Sequence, residues 1–421
     1  MTSLPKFIQI HAFTSYPGAL LNRDDVGFAK RLPFGGATRT RISSQCLKRH
    51  WRTSDAEDAL SGIVASDGDR VEMSLRSRRS FTAEVVAPLI AEGLNQARVV
   101  EATEKLMTKV LGQSVKAEKA KAEGEPAKKG KAKAKAEDTS AEVNTNQVTV
   151  LGRPELRYFK ELVRGVVTSD ATDLGKALDE ATKDAKKNIE ALKRAAGLDA
   201  ALFGRMVTSA ILARGDAAVH VAHAFTVHKE AAESDYFSAV DDLMGDGDEA
   251  KLGSGHIGSV ELTSGLYYTY VVIDVPLLVS NLEGCDRKAW EKADRSLAAE
   301  VVKRLIKTIA TVSPGAKLGS TAPYAYAEAM LVELGSSQPR TLANAFRKPV
   351  EARGEDQLDA ALSALGSFLS KHDEAYGKRE TRHLMSVSDT GVDGLLARVD
   401  GRSSLPELAA RVAGVISSQG A

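Results

Sequence analysis

The segment from Val115 to Glu137 places the strongest limit on how this chain can fold. It reads VKAEKAKAEGEPAKKGKAKAKAE and contains eight lysines, four glutamates and no aromatic residue. A stretch of this composition cannot bury enough apolar surface to offset the entropy lost on ordering. We therefore predict a flexible loop over roughly 113–148, and a packed core built from the chain on either side of it.

Positive charge is concentrated in that segment. Its net charge is +4, eight lysines minus four glutamates, whereas the whole chain of 421 residues carries only +1. Nucleic-acid binding would therefore have to rest on local clusters of basic side chains and not on overall charge. The two cysteines, Cys46 and Cys285, have no metal or redox spacing, which fits a reducing cytosol. There is neither a signal-peptide pattern nor an apolar run of about 18 residues, so we expect a cytoplasmic protein without a membrane span.

Short segments of alternating hydrophobicity predict a sheet. FIQIHAF near the start, ATRTRI, AAVHVAHAFTVHK, LYYTYVVIDVPL and YAEAMLVEL have the two-residue period of strands. Helical patterns cover about 170–212, Trp290–Val312 and the segment after Pro406. Strands interleaved with helices, and separated by long insertions, predict an α+β fold.

A basic segment, FGGATRTRISSQCLKRHWR from Phe34 to Arg52, contains the clearest candidate site. Serines are preferred at helix N-caps, so the pair at 43 and 44 predicts a helix from Gln45 onward. On that helix Leu47 and Trp51 are four residues apart and form a buried side. Gln45, Lys48 and Arg52 share another side, where the two like charges disfavour each other slightly unless an anion binds.

Features just before this helix indicate where a phosphate could bind. Arg39 and Arg41 are two apart on a predicted strand and should point the same way. Gly35 and Gly36 would let a ligand backbone come close, and the start of the helix offers N–H groups and a positive dipole end. The segment therefore predicts a phosphate site. The alternative, a charged helix face exposed to solvent, stays open because basic clusters are weak motifs.

The same residues carry a family resemblance. FIQIHAFTSYPGALLNRDDVG, FGG and RISSQCLKRHWR resemble the N-terminal part of the CasC family, the backbone subunits of type I-E CRISPR Cascade. The resemblance continues in GRMVTS, VHVAHAFTVHK, DYFSAVDDL, LTSGLYYTY, VSPGAK and LANAF. It is strong in about the first 55 residues and from 203 to 275, and weak from 56 to 200 and after 350.

This resemblance implies an architecture. The expected fold is a modified RRM (ferredoxin-like) palm with a helical fingers insertion and a β-hairpin thumb. Residues 1–54 and 204–421 would form the palm, and residues 55–203, including the loop at 113–148, would form the fingers. The glycine-rich segment at 244–262 would form the thumb.

The resemblance also implies a function. Several copies of such a protein line up along a CRISPR RNA and expose it for pairing with target DNA, while the protein holds the backbone by charge and shape. The implied partners are other copies of the chain and subunits of the CasA, CasB, CasD and CasE types. No catalytic role, cofactor or metal is expected.

The physical argument and the resemblance together give a set of candidate RNA-binding residues. Met206 is expected to act as an apolar wedge beside a base, and Leu252, or a residue near it, to contact a displaced base at the tip of the thumb. The full set is Arg23, Lys30, Arg39, Arg41, Ser43, Ser44, Gln45, Lys48, Arg49, Arg52, Arg205, Met206 and Leu252.

The lysine-rich loop is a candidate for non-specific binding of duplex DNA, since clustered lysines attract phosphates regardless of sequence. A solvated loop without such a role is an equal alternative. The residues concerned are Lys128, Lys129, Lys131, Lys133 and Lys135.

Two other functions have to be weighed. The pairs Asp24-Asp25 and Asp241-Asp242 could hold a metal for RNA cleavage, as in backbone subunits of type III systems. However, adjacent residues on an extended chain point to opposite faces, so turn-capping is the expected role of these aspartates. The second function is a generic coat for single-stranded RNA.

Three histidines, His220, His223 and His228, could suggest a metal site. On one continuous strand His223 would face away from the other two, so we expect packed or hydrogen-bonded side chains instead. Tyr268 and Tyr270 share a strand face, and they are expected to fill the core or a subunit interface.

Overall fold

The computed structural model describes residues 4–65, 68, 70–112, 142–190, 192, 194–206, 209, 211–212, 214–239 and 256–418. The chain forms two compact units. The first comprises Met1–Asp69, Val219–Val279 and Arg287–Ala421, and the second comprises Arg70–Ala218 and Ser280–Asp286.

Strands and helices alternate along the described chain, which confirms the predicted α+β class. The strands are β1 (Phe7–Ala19), β2 (Arg31–Phe34), β3 (Ala37–Ile42), β4 (Leu75–Ser77), β5 (Thr149–Leu151), β6 (Val219–Val221), β7 (Ala224–Thr226), β8 (Ala232–Ala239), β9 (His256–Asp274), β10 (Ala329–Gly335), β11 (Thr381–Ser386) and β12 (Gly401–Arg402). The helices are α1 (Ser44–Thr53), α2 (Ala87–Ala91), α3 (Gln96–Leu111), α4 (Arg153–Thr168), α5 (Leu174–Ala181), α6 (Ala185–Glu190), α7 (Leu198–Phe203), α8 (Val275–Glu283), α9 (Ser296–Thr311), α10 (Gln357–Tyr376), α11 (Asp393–Leu396) and α12 (Leu405–Ser417).

The first unit is built on one large sheet, with ten strands among the described residues. The order is β12-β11-β10-β1-β9-β7-β3-β2, and β6 and β8 pair additionally with β9. Central strand β1 pairs antiparallel with both β9 and β10. The sheet therefore joins the N-terminal segment to strands more than two hundred residues away, which places β3 and α1 on a rigid support.

Both faces of β1 are buried, as expected for a central strand. On one face Phe13 packs with Tyr268 and Leu331 beneath helix α10, whose Leu362 and Leu365 are part of the same core. On alternate positions Ile8 and Ile10 are also fully buried. Helices α9 and α12 pack against each other and contact β1 and β11, respectively.

The second unit is mainly helical. Helices α3, α4 and α5 pack around an apolar core that includes Leu106 and Phe159, and β4 and β5 form a small antiparallel pair. The predicted flexible loop is wrong at its C-terminal end, because Val143 belongs to this core and the N–H of Thr145 donates to the carbonyl of Arg78 at 2.9 Å. Residues 113–141 lie outside the described part of the chain.

Strand β8 and the first half of β9 form the arms of a hairpin, paired from Ala232 opposite Thr263 to Ala239 opposite His256. The predicted thumb at 244–262 overlaps the second arm, whereas residues 240–255 lie outside the described residues. Within the described chain no helix is long and apolar enough to cross a membrane.

Two predicted elements end differently in the structure. The stretch AAVHVAHAFTVHK is divided into β6 and β7, because the pairing with β9 shifts by one residue between Val221 and Phe225. The N–H of Ala222 still donates to the carbonyl of Tyr270 at 2.9 Å. The helix predicted over Trp290–Val312 begins only at Ser296, whose N–H donates to a side-chain oxygen of Asp294 at 2.9 Å. A short 3₁₀ turn, Arg287–Lys292, precedes it.

Candidate nucleic-acid interface

Helix α1 is anchored by its apolar side. Leu47 and Trp51 are buried, which confirms the predicted inward face. Ser43 is the N-cap, and its hydroxyl accepts a hydrogen bond from the N–H of Cys46 at 3.2 Å, as its residue type predicts. The sheet and these contacts together fix the direction in which the polar side of the helix points.

The polar side of α1 carries four of the predicted contacts. Gln45 and Arg49 are exposed, whereas Lys48 and Arg52 are half-buried and make interactions within the protein. The side of α1 that carries Gln45, Lys48 and Arg52 is therefore only partly exposed. Long basic side chains commonly pack their aliphatic stems and keep the charged group at the surface, so half-burial is compatible with a surface of positive charge.

The N–H groups at the start of α1 are already hydrogen-bonded. The N–H of Ser43 donates to Asn22 Oδ1 at 2.9 Å, that of Ser44 to His223 Nδ1 at 3.0 Å, and that of Cys46 to the Ser43 hydroxyl. Both serines are also buried, at 7% and 9% exposure. This corrects the expected use of Ser43, Ser44 and these three N–H groups as phosphate ligands, because the serines are buried and the N–H groups are already bonded in this structure.

Arg39 is enclosed by protein. Its guanidinium donates to the carbonyls of Thr226 and His228 at 3.0 and 3.1 Å, and to those of Phe346 and Arg347 at 2.9 and 3.4 Å. The residue is 0% exposed, so it cannot meet a phosphate without leaving these carbonyls. Arg39 therefore ties β3 to neighbouring segments and is not part of the interface proposed below, which corrects its predicted role.

Arg41 lies at the edge of the candidate surface. Its Nε donates to the carbonyl of Arg31 at 3.1 Å, and its Nη1 approaches His223 Nδ1 at 3.4 Å. Lys30 is joined to the same strand, because its carbonyl accepts the N–H of Arg41 at 2.8 Å. Partial desolvation lowers the pKa of His223, and the positive charges of Arg41, Lys30 and Lys48 lower it further. All three cations therefore act on one imidazole, which bonds to the start of α1.

The segment between β1 and β2 completes this surface. Arg23 is exposed there, and the following Asp24 closes a tight turn. Asp24 Oδ1 accepts hydrogen bonds from three backbone N–H groups at 2.8–3.0 Å, those of Val26, Gly27 and Phe28. This agrees with the expected capping role and leaves that oxygen committed to the turn.

Arg205 and Met206, both in the second unit, differ sharply in exposure. The side chain of Arg205 is 1% exposed and forms an ion pair with Glu155 at 2.6 Å, whereas Met206 is 91% exposed. Met206 is accessible, and its role as an apolar wedge stays a prediction. The charge of Arg205 is turned into the protein, so a direct phosphate contact is corrected to a structural role.

Several predicted positions fall outside the described residues. They are Asp241, Asp242, Leu252, Lys128, Lys129, Lys131, Lys133 and Lys135. Among the residues that are described, no group of three or more His, Cys, Asp or Glu side chains is arranged to hold a metal ion. His228 is hydrogen-bonded, since its Nε2 accepts the N–H of Leu266 at 3.2 Å.

Sequence reasoning missed three contributors to this surface. Asn22 and His223 both hold the start of α1, and neither stands in a recognisable capping pattern. Lys317 belongs to a loop that contacts α1, because the N–H of Gly315 donates to His50 Nε2 at 3.4 Å. The ammonium group of Lys317 lies 5.1 Å from the ring centre of Phe237. The VSPGAK motif was visible in the sequence, but its position beside α1 was not.

Comparison with known proteins agrees with this architecture. The sequence model of the CT1975-like protein family of Cas proteins matches residues 8–411. The chain belongs to this family. No curated protein matches the sequence significantly.

Two solved structures have the fold of this CT1975-like protein. A chain of a "CRISPR RNA-guided surveillance complex, pre-nicking" superposes with a TM-score of 0.72 at 24% identity, covering 97% of this chain and 100% of that one. A chain of a second "CRISPR RNA-guided surveillance complex" superposes with a TM-score of 0.53 at 20% identity, covering 97% of this chain and 98% of that one. The CT1975-like protein therefore has the fold of a surveillance-complex subunit along nearly its whole length.

Proposed function

We propose that this CT1975-like protein is a CRISPR-RNA-binding backbone subunit of a type I-E Cascade surveillance complex. It polymerises along the guide RNA, presents it for pairing with target DNA, and performs no chemistry of its own. Family membership and the shared fold support this role. The motifs of the first 55 residues, which resemble CasC, support the subtype.

The cluster of Lys30, Arg41 and Lys48 at the start of α1 is the observation that carries the proposal. Arg41 Nη1 lies 3.4 Å from His223 Nδ1, the Arg41 N–H bonds to the carbonyl of Lys30, and Lys48 is one turn along the helix whose first N–H bonds to His223. The whole chain nevertheless has a net charge of only +1. Like charges at such range repel, and a phosphodiester backbone removes that repulsion while releasing its own counterions. Arg23, Gln45, Arg49 and Arg52 extend the surface on either side.

The proposal has consequences for partners. The described residues of one chain offer one such cluster, so a guide RNA that is held along its length requires several copies side by side. Subunits of the CasA, CasB, CasD and CasE types would complete the complex, and target DNA would pair with the exposed guide. The nearly neutral net charge fits copies that must pack against one another, because it limits their repulsion.

The direct test is the double variant Lys48→Ala/Arg52→Ala. We expect it to fold normally and to bind a single-stranded RNA more weakly. The slope of log K against log salt concentration should fall by about 0.7 for each phosphate that the variant no longer neutralises on a single strand. Fluorescence anisotropy across a salt series measures both quantities.

A charge-matched control separates a local contact from general electrostatics. Lys371→Ala/Arg411→Ala also removes one lysine and one arginine in the first unit, from exposed positions on α10 and α12. It should keep the wild-type affinity and slope. Equal reductions in both double variants, or none in Lys48→Ala/Arg52→Ala, would contradict the proposed surface.

The RNA that co-purifies with the chain and its operon partners distinguishes the remaining functions. A Cascade subunit should carry discrete repeat-derived RNAs, whereas a generic coat should carry mixed lengths. A metal-dependent nuclease should degrade RNA with a divalent cation and stop when Asp24 or Asp25 is replaced. The three backbone hydrogen bonds that Asp24 already accepts disfavour this last outcome.

A further inference from the structure

His223 occupies the centre of the basic surface and has a fixed orientation. Its Nδ1 receives two donors, the N–H of Ser44 at 3.0 Å and Nη1 of Arg41 at 3.4 Å. A ring nitrogen that accepts hydrogen bonds carries no proton, so in the neutral ring the hydrogen must be on Nε2. The contacts of Nδ1 therefore settle the tautomer.

The other edge of the ring is available to a ligand. His223 is exposed, and Nε2 makes no hydrogen bond within the described part of the chain. The two ring nitrogens point in diverging directions, so Nε2–H faces away from the start of α1. The charged groups around the ring are Arg41 from β3, Lys30 from the segment before β2, and Lys48 from α1. All three favour the neutral ring over the imidazolium.

We propose that His223 is an RNA-contacting residue, whose Nε2–H donates a hydrogen bond to a backbone oxygen of the bound strand. The inference rests on the proposed function, because it needs RNA on this surface. It assigns to His223 a task that the surrounding lysines and arginines do not perform. They supply charge, whereas the imidazole supplies a neutral donor at one fixed position. The oxygen belongs either to a phosphate or to a ribose 2′-hydroxyl.

A pair of substitutions separates this contact from the support that His223 gives to α1. In His223→Asn the side-chain oxygen lies close to the place of Nδ1 and can still accept the Ser44 N–H, but nothing replaces Nε2. In His223→Gln the longer amide can place an N–H near Nε2, but the acceptor for Ser44 is removed. The first variant eliminates the proposed contact, and the second eliminates the support.

The experiment uses the full-length chain, stripped of nucleic acid, with a fluorescent oligouridylate. We expect His223→Asn to keep the wild-type melting temperature and to bind about two- to tenfold more weakly, the range for one net hydrogen bond. Because a neutral donor releases no counterion, the salt slope should stay at its wild-type value. His223→Gln should bind better than His223→Asn but melt at a lower temperature.

An oligodeoxyuridylate identifies the acceptor. If the oxygen is a phosphate, the Asn substitution weakens RNA and DNA by the same factor. If it is the 2′-hydroxyl, the weakening occurs with RNA only, and either result supports the contact. Wild-type affinity of His223→Asn for RNA, combined with a reduced affinity of Lys48→Ala/Arg52→Ala, would overturn the inference and leave the proposed function intact. Failure of the wild-type chain to bind the oligouridylate would overturn both.

Discussion

Glu333 on β10 shows how a single buried carboxylate organises the sheet. Its two oxygens accept hydrogen bonds from Arg340 at 2.5 and 2.9 Å, from Arg382 at 2.7 Å and from His11 at 3.1 Å. Burial alone would raise the pKa of Glu333, but the bonds from Arg340 and His11 hold it well below its usual range. The carboxylate is therefore ionised throughout the physiological range and joins three segments of the chain.

The variant Glu333→Gln tests this role. It removes a carboxylate that Arg340 and Arg382 share, although Arg382 keeps its ion pair with Asp373 at 2.6 Å, so we expect a loss of about 3 kcal/mol in the free energy of unfolding, the lower end of the range for breaking a buried pair. Urea denaturation at neutral pH measures it. Glu351→Gln removes an equal charge from an exposed pair with Arg353 and should change the same quantity by less than about 1 kcal/mol. Similar effects of both substitutions would contradict the account.

Acid titration gives the same prediction a second readout. Because the pKa of Glu333 is lowered in the folded state, its contribution to stability is present above the ordinary glutamate value of about 4.3 and is lost as the pH falls below it. The wild-type protein should therefore lose this part of its stability in acid. Glu333→Gln has already lost it and should show a shallower decline over the same range.

Individual residues show where sequence reasoning stops. Arg39 and Arg41 were placed on one strand correctly, but burial of Arg39 depends on the carbonyls of Phe346 and Arg347, about three hundred residues away in the sequence. The capping of Ser44 by His223 likewise joins residues that are distant in sequence. Local pattern determines which residue types come together on an element, whereas long-range contacts decide which of them remain accessible.

The β2–β3 hairpin shows the same difference between local pattern and long-range contact at the level of an element. Gly35 and Gly36 form its turn with φ angles of +62° and +76°, a conformation that favours glycine. The sequence predicted a close approach of a ligand backbone here. Instead, the backbone of the protein itself approaches: a Cβ on Gly35 would lie 1.5 Å from the carbonyl oxygen of Arg347. No atom lies within 4 Å of the corresponding Cβ position at Gly36.

These two glycines form a matched pair of test sites. Gly36→Ala should cost about 1–2 kcal/mol of unfolding free energy, the penalty for a left-handed backbone. Gly35→Ala carries the same penalty and must also displace Arg347, whose carbonyl accepts a bond from Arg39, so its effect should be clearly larger. Thermal and urea unfolding of both variants give the comparison. Equal destabilisation of the two variants would show that Arg347 can move away from residue 35 at no cost in stability.

Most strands and the basic helix were predictable because their periodicity is local. Strands β1 and β9 and the buried side of α1 follow the alternation or helical spacing that the sequence displays. The break between β6 and β7 was not predicted, although the polar His223 interrupts the apolar series of Val219, Val221, Phe225 and Val227 there. The register with β9 shifts by one residue there, and the bond from the Ser44 N–H to His223 leaves no local signal.

At the level of the whole molecule, the division of the chain could be predicted only approximately. Composition marked the lysine-rich segment, and the resemblance to CasC implied an insertion around it, at 55–203. The second unit runs instead over Arg70–Ala218 and gains Ser280–Asp286. The segment 280–286 belongs to the second unit through tertiary packing, because Asn281 donates to the carbonyls of Ala201 and Asp216 at 2.9 and 3.0 Å. Sequence composition carries no trace of it.

The net positive charge of the whole molecule is concentrated in the lysine-rich segment, which leads to a prediction about DNA. Deleting 116–137, which lie outside the described residues, removes eight lysines and four glutamates from a chain whose remainder is slightly acidic. We expect single-stranded RNA binding to persist, because the cluster around α1 is untouched, and affinity for duplex DNA to fall along with its salt dependence. Gel-shift titrations of both ligands measure this. Replacing the eight lysines by glutamine keeps the length of the segment and should have the same effect on DNA. Unchanged DNA affinity in both variants would show that these lysines do not contribute to DNA binding.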